Sequence, residues 1–75
     1  MTQEHQFSTF YFVAERTAVI RGCTTDQQEL VEIRSQSFRR ADRWVTENYP
    51  GYVTWHTESP QNYLFTCTNF GKFAV

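Results

Sequence analysis

The chain has 75 residues, which is enough for one domain with one modest hydrophobic core but too few for two domains. Its formal net charge is −1, so it lacks the basic excess typical of proteins that bind polyanions. Two cysteines are too few for a disulfide framework, and no apolar run is long enough to cross a bilayer. The composition therefore predicts a cytoplasmic protein with no membrane partner.

The beginning of the chain predicts a β-hairpin. Residues 7–14 and 17–23 are rich in aromatic and β-branched side chains, which favour strands. The polar pair Glu15 and Arg16 lies between them and predicts the turn. Residues 1–6 are polar, and we expect them to fray.

A helix is predicted over residues 26–48. Thr25 and Gln28 have the spacing of a capping box, which would satisfy free amide groups at the first turn. Pro50 and Gly51 follow the segment and predict where it ends. On a helical wheel one broad, largely apolar stripe is formed by Leu30, Ile33, Ser37, Phe38, Ala41, Trp44 and Val45.

Two further strands are predicted after the helix, over residues 52–57 and 62–68, with a hairpin turn at 58–61. Residues 73–75 are a possible short fifth strand. The order ββαββ predicts a single α+β domain over residues 1–75, in which a mainly antiparallel sheet packs on one helix as a two-layer sandwich. A β-grasp topology is the alternative within this class.

Aromatic residues occur on both faces of the predicted sheet. The chain contains seven Phe, four Tyr and two Trp. In the first strand Tyr11 and Val13 fall on one side, whereas Phe10 and Phe12 fall on the other. One helix covers one face, so the second face should expose aromatic surface unless a loop, a terminus or another subunit covers it. The alternative is that so small a protein leaves scattered aromatic residues exposed without any functional role.

The sequence contains no recognisable catalytic or metal-binding pattern. His5, Cys23, His56 and Cys67 do not form the paired spacing of a zinc site. The three glycines are isolated, so there is no glycine-rich phosphate loop. No pair of carboxylates suggests acid–base catalysis, and we therefore predict a protein that is not an enzyme and has no cofactor or metal.

Arg39, Arg40 and Arg43 form the one dense basic cluster. Arginine suits bidentate recognition of phosphate or carboxylate, which supports a nucleic-acid hypothesis. Against it, Asp42 and Glu47 are interleaved with the arginines, and a basic end after an acidic start is what the dipole of the predicted helix favours. A solvated helix face is therefore the structural alternative.

No family motif is present. The small size, the aromatic richness and the lack of a catalytic pattern resemble the accessory proteins of bacteriophages and mobile elements, including anti-defence inhibitors. We therefore expect a protein-binding inhibitor or regulator, with homodimerisation through sheet edges as a further possibility and nucleic-acid binding as the alternative function. The residues predicted to contact the partner are Arg21, Arg39, Arg43, His56 and Tyr63.

Overall fold

The computed structural model describes residues 6–75, which form one sheet and one α-helix. The predicted frayed start at residues 1–6 lies outside the described residues, except for Gln6, which is exposed. The elements, in chain order, are β1 (Ser8–Ile20), β2 (Cys23–Ser35), α1 (Phe38–Asn48), β3 (Val53–Thr57), a short 3-10 helix (Pro60–Tyr63) and β4 (Asn69–Ala74).

The strand order is β3-β1-β2-β4. β1 is antiparallel to both β2 and β3, whereas β4 is parallel to β2. The predicted ββαββ order and the α+β class are therefore confirmed, with a mixed sheet in which antiparallel pairing dominates. The observed order separates β1 from β4, whereas a β-grasp sheet would pair the first strand with the last.

The predicted turn at Glu15 and Arg16 is wrong, because both residues lie inside β1, which pairs with β2 over its whole length. The turn lies instead at Arg21 and Gly22, whose φ angles are 53° and 79°. Tight hairpin turns of type I′ require positive φ at both central positions, and glycine adopts it without steric cost. Neither Glu15 nor Arg16 is a glycine, so this pair does not favour such a turn.

The first part of the predicted helix is also wrong, since residues 26–35 belong to β2. The helix is capped by Ser37, whose side-chain oxygen accepts a hydrogen bond from the Arg40 backbone N–H at 3.1 Å. In β2, Val31 and Ile33 are buried and alternate with more exposed charged residues, which is the period of a strand. The apolar spacing of residues 26–35 fits either a helix or a strand. Cross-strand pairing with β1 determines that this segment is a strand.

The predicted strand over residues 62–68 is replaced by the end of the 3-10 helix and a turn. β4 begins only at Asn69, so the short strand expected at 73–75 is longer than predicted and starts earlier. The strand predicted at 52–57 is confirmed as β3. Because β3 and β4 lie at opposite edges of the sheet, the segment between them has to cross one sheet face.

The helix packs on one face of the sheet, called here the helix face. Trp44 extends this core towards β4, where its ring lies 4.6 Å from the ring of Phe73, centroid to centroid. At the other edge, the Phe38 ring stacks on Phe12 at 5.7 Å. The fully buried side chains of this cluster are Phe12, Val31, Ile33, Ala41 and Val45.

The hairpin extends well beyond the rest of the sheet. β3 pairs with β1 only as far as Glu15, and β4 pairs with β2 only from Glu29 onward. Residues 16–27 therefore form a two-stranded ribbon, called here the arm, which helps to give the molecule its longest dimension of 60 Å. Polar cross-strand contacts join its strands, including Thr17 Oγ1 to Asp26 Oδ1 at 3.1 Å.

The turn of the arm gives the first prediction. Arg21 adopts a left-handed conformation that costs most side chains roughly 1 kcal/mol, whereas asparagine tolerates it. Arg21→Asn should therefore raise the free energy of unfolding by about 1 kcal/mol, and Gly22→Ala should lower it by a similar amount. Chemical denaturation monitored by circular dichroism would measure both, and a loss of stability in Arg21→Asn would contradict this account of the turn.

Candidate protein-binding surface

The second face of the sheet, called here the loop face, is covered by the segment between β3 and β4. Its buried residues are Val13, Leu30 and Cys67, and Trp55 and Tyr63 pack against them. The Trp55 indole Nε1–H donates a hydrogen bond to the Tyr63 hydroxyl oxygen at 3.3 Å. The segment between β3 and β4 therefore covers the sheet face that the helix leaves open.

One backbone hydrogen bond closes a turn within this covering segment, and another ties the segment to β2. The Cys67 N–H donates to the Tyr63 carbonyl oxygen at 3.0 Å, and the Thr68 N–H donates to the Gln28 carbonyl oxygen at 2.9 Å. The residues between Tyr63 and Cys67 therefore have both ends fixed. The backbone of these residues is therefore held in place although their side chains are exposed.

The covering segment leaves large apolar side chains exposed. Phe65 is 98% exposed, Phe70 is 56% exposed and Leu64 is 51% exposed. Leu64 and Phe65 lie between the two packed residues of the segment, and Phe70 lies beside the buried Leu30 in the parallel pairing of β2 and β4. We call Leu64, Phe65 and Phe70 the loop-face patch.

A small apolar cleft adjoins this patch. It has a volume of about 90 Å³, and its lining includes Tyr11, Leu30 and Phe70, with Glu32 and Lys72 at the side. This is much smaller than the roughly 300 Å³ of a small-molecule site. Its size suits one inserted side chain. The negative charge of Glu32 raises the pKa of the Tyr11 hydroxyl, and burial and a hydrogen bond to Glu32 add to this shift.

The arginines are exposed on the helix, as predicted. However, they begin at the N-terminal end of the helix dipole and not at the C-terminal end where the prediction placed them. Because α1 begins at Phe38, Arg39 and Arg40 lie in its first turn, which contains no acidic residue. Positive charge is unfavourable at this positive end of the dipole. The predicted dipole explanation for the arginines is therefore wrong, although Arg43 does form an exposed ion pair with Glu47 at 3.3 Å.

Among the predicted contact residues, His56 and Arg39 lie near the same end of the helix. His56 is exposed on β3, and its ring lies 4.9 Å from that of Phe38, the residue before Arg39. Arg43 lies one turn further along the helix. Arg21 lies at the tip of the arm, remote from this group, and Tyr63 packs against the loop face.

The structure does not bring the five predicted residues into one site. It places the most exposed aromatic ring at Phe65, which the sequence interpretation did not select. A signal was present, because Tyr63, Leu64 and Phe65 are three consecutive bulky apolar residues. In a strand they could not all face the core, so at least one had to point towards solvent or towards a partner.

The remaining titratable groups form no metal-binding cluster within residues 6–75. No three of the described His, Cys, Asp and Glu side chains lie close enough to hold a metal ion. His56 lies on the helix face, whereas Cys67 packs on the loop face, so the two are not a nucleophile and its base. Cys23 lies near the arm tip, and His5 falls outside the described residues.

The two cysteines should differ in reactivity. Burial raises the pKa of the Cys67 thiol, which lowers its thiolate fraction, whereas Cys23 is exposed. A thiol reagent such as DTNB should modify one cysteine rapidly in the folded protein and the second only after denaturation. Cys23→Ser should remove the rapid phase, and two rapid equivalents in the folded protein would contradict the burial of Cys67.

No family model, curated protein or solved structure matches this chain. Among residues 6–75, no helix combines the length and the apolar character needed to span a bilayer. Among residues 6–75, the loop-face patch contains the most exposed large apolar side chain, that of Phe65.

Proposed function

We propose that this chain is a non-enzymatic protein-binding module, an inhibitor or regulator that acts by occupying the surface of a partner protein. The contact is the loop-face patch. The observation that carries the proposal is the nearly complete exposure of Phe65 on a segment whose two ends are fixed. Aromatic side chains in such positions are typical anchors of protein interfaces.

The energetics of the patch favour a protein partner. Full burial of one large apolar side chain contributes roughly 1.5–3 kcal/mol, and the patch offers Leu64, Phe65 and Phe70 together. The adjoining cleft can accept an apolar side chain from the partner in return. Mutual insertion of this kind concentrates binding energy in a few central residues.

The biological setting that we propose is a phage or mobile-element accessory protein in the cytoplasm, which binds and blocks a host defence protein. The small size of the chain and its exposed aromatic surface support this setting. Inhibition of this type needs only a stable contact that occludes a functional surface. It needs no catalytic group on the inhibitor.

Truncation of the patch tests the proposal. The double variant Phe65→Ala/Phe70→Ala should weaken binding to the partner captured by the wild-type chain by about 100-fold, because two anchors are lost. Stability should change by less than about 1 kcal/mol, since both side chains are exposed. Capture from host lysate with quantitative mass spectrometry, followed by titration calorimetry, would measure the effect.

Phe7→Ala is the matched control, because Phe7 is also an exposed phenylalanine but lies outside the patch. This variant should bind as the wild type does. Equal binding by the double variant and the wild type would refute the assignment of the patch. Failure of the wild-type chain to capture any protein would refute the proposed function itself.

A second candidate function is nucleic-acid binding, which the placement of Arg39 and Arg40 at the positive end of the helix dipole favours. The arginines, with Arg43, line a shallow depression of about 490 Å³. An anionic phosphate placed there would offset an arrangement that is unfavourable for the isolated chain.

This second function predicts salt-dependent binding of single-stranded oligonucleotides. If three arginines contact phosphates, the logarithm of the binding constant should fall with the logarithm of salt concentration with a slope of about −2. Arg39→Glu/Arg43→Glu should abolish binding, whereas Arg21→Glu, at the arm tip, should have a much smaller effect. Fluorescence anisotropy measures both, and lack of binding at low salt would remove this candidate.

A further inference from the structure

We propose that the arm pairs with the arm of a second copy of this chain, through the open edge of β1 at residues 16–20. β3 occupies this edge only as far as Glu15. Beyond that point, within residues 6–75, β1 pairs only with β2 on its other side. The outward backbone groups of residues 16–20 are therefore available to another strand. This self-association is separate from the proposed partner contact.

The composition of this edge favours strand pairing. Its sequence is Arg-Thr-Ala-Val-Ile, which contains no proline, glycine or acidic residue. Val19 is 72% exposed and Ile20 is 49% exposed. Proteins usually protect open edges with bulges, proline or several charges, and two-stranded ribbons are marginally stable in water. This edge carries only Arg16 as protection, so a third strand would stabilise the arm.

The space beside the arm selects one register for symmetric antiparallel pairing. A two-fold axis at Ala18 places residues 16–20 of one copy opposite 20–16 of the other, which fills the open edge between β3 and the turn. An axis at Thr17 would place Ile20 opposite Ala14, where β3 already pairs. An axis at Val19 would place Thr17 opposite Arg21, which lies in the turn.

The charges of the arm agree with the register centred on Ala18. Arg16 lies opposite Ile20 of the second copy, so no arginine faces another arginine. Arg21 lies in the turn, and Glu15 already pairs with Val53 of β3, so neither residue takes part in this contact. The two-fold axis uses the same edge on both copies, so the contact closes as a dimer and does not propagate along this edge.

Charge substitutions at the symmetry axis test the proposal, because only this register places residue 18 opposite itself. The wild-type chain should show a concentration-dependent monomer–dimer equilibrium in sedimentation velocity, under reducing conditions that keep Cys23 from forming disulfides. Ala18→Lys and Ala18→Asp should each raise the dissociation constant at least about tenfold. An equimolar mixture of the two variants should restore the dimer as a heterodimer.

Thr25→Lys is the matched control, because Thr25 is the cross-strand partner of Ala18 in the arm but lies on the other strand. It should dimerise as the wild type does, and so should Phe65→Ala/Phe70→Ala, which separates this contact from the loop-face patch. Circular dichroism melts would confirm that each variant is folded. A wild-type chain that stays monomeric at all concentrations would overturn the proposal, and so would a dimeric Ala18→Lys variant or a mixture that stays monomeric.

Discussion

The continuous pairing of β1 with β2 is the constraint on which the rest of this structure depends. The two strands have 13 residues each and are joined by a two-residue turn, whereas β3 and β4 have only five and six residues. The edge strands therefore widen the sheet along only part of the hairpin. The part that they flank becomes the domain body, and the remainder becomes the arm, where both strand edges are open.

The chain has too few residues outside the sheet to cover both faces of the domain body. One 11-residue helix covers the helix face, and a short looped segment covers the middle of the loop face. Five of the seven phenylalanines remain substantially exposed as a result, at positions 7, 38, 65, 70 and 73. The same loop buries Cys67 against the core and leaves Phe65 exposed. The covered part and the exposed part of the loop face therefore both result from the path of this loop.

Local sequence signals correctly predicted those elements whose residues favour only one type of secondary structure. The aromatic strand before Ala14, the β3 segment and the chain break at Pro50 and Gly51 were all recognised, and with them the α+β class. Residues 26–35 were assigned wrongly, because their apolar positions fit a helical stripe as well as an alternating strand. Pairing with a distant segment decides between these, and the sequence of residues 26–35 alone does not contain that information.

The candidate site was less predictable for a related reason. That both sheet faces carry aromatic residues follows from alternation within β1, where Phe12 is buried on the helix face and Tyr11 lines the cleft on the loop face. Which rings stay exposed depends on the path of the segment after β3, and that path depends on the edge to which β4 is added. Because residues 62–68 were predicted to form a strand, Phe65 was expected to lie within the sheet and was not identified as an exposed residue.

The geometry of the proposed dimer also bears on how the loop-face patch would act. A two-fold axis perpendicular to the sheet leaves each face on its own side, so the loop-face patches of both copies point in the same direction. The arginines of both helices point in the other. The proposed dimer would engage a partner that has two copies of its binding surface, because linked contacts raise avidity without any new interaction. Dimerisation through the arm and recognition through Phe65 would therefore reinforce each other although they share no residue.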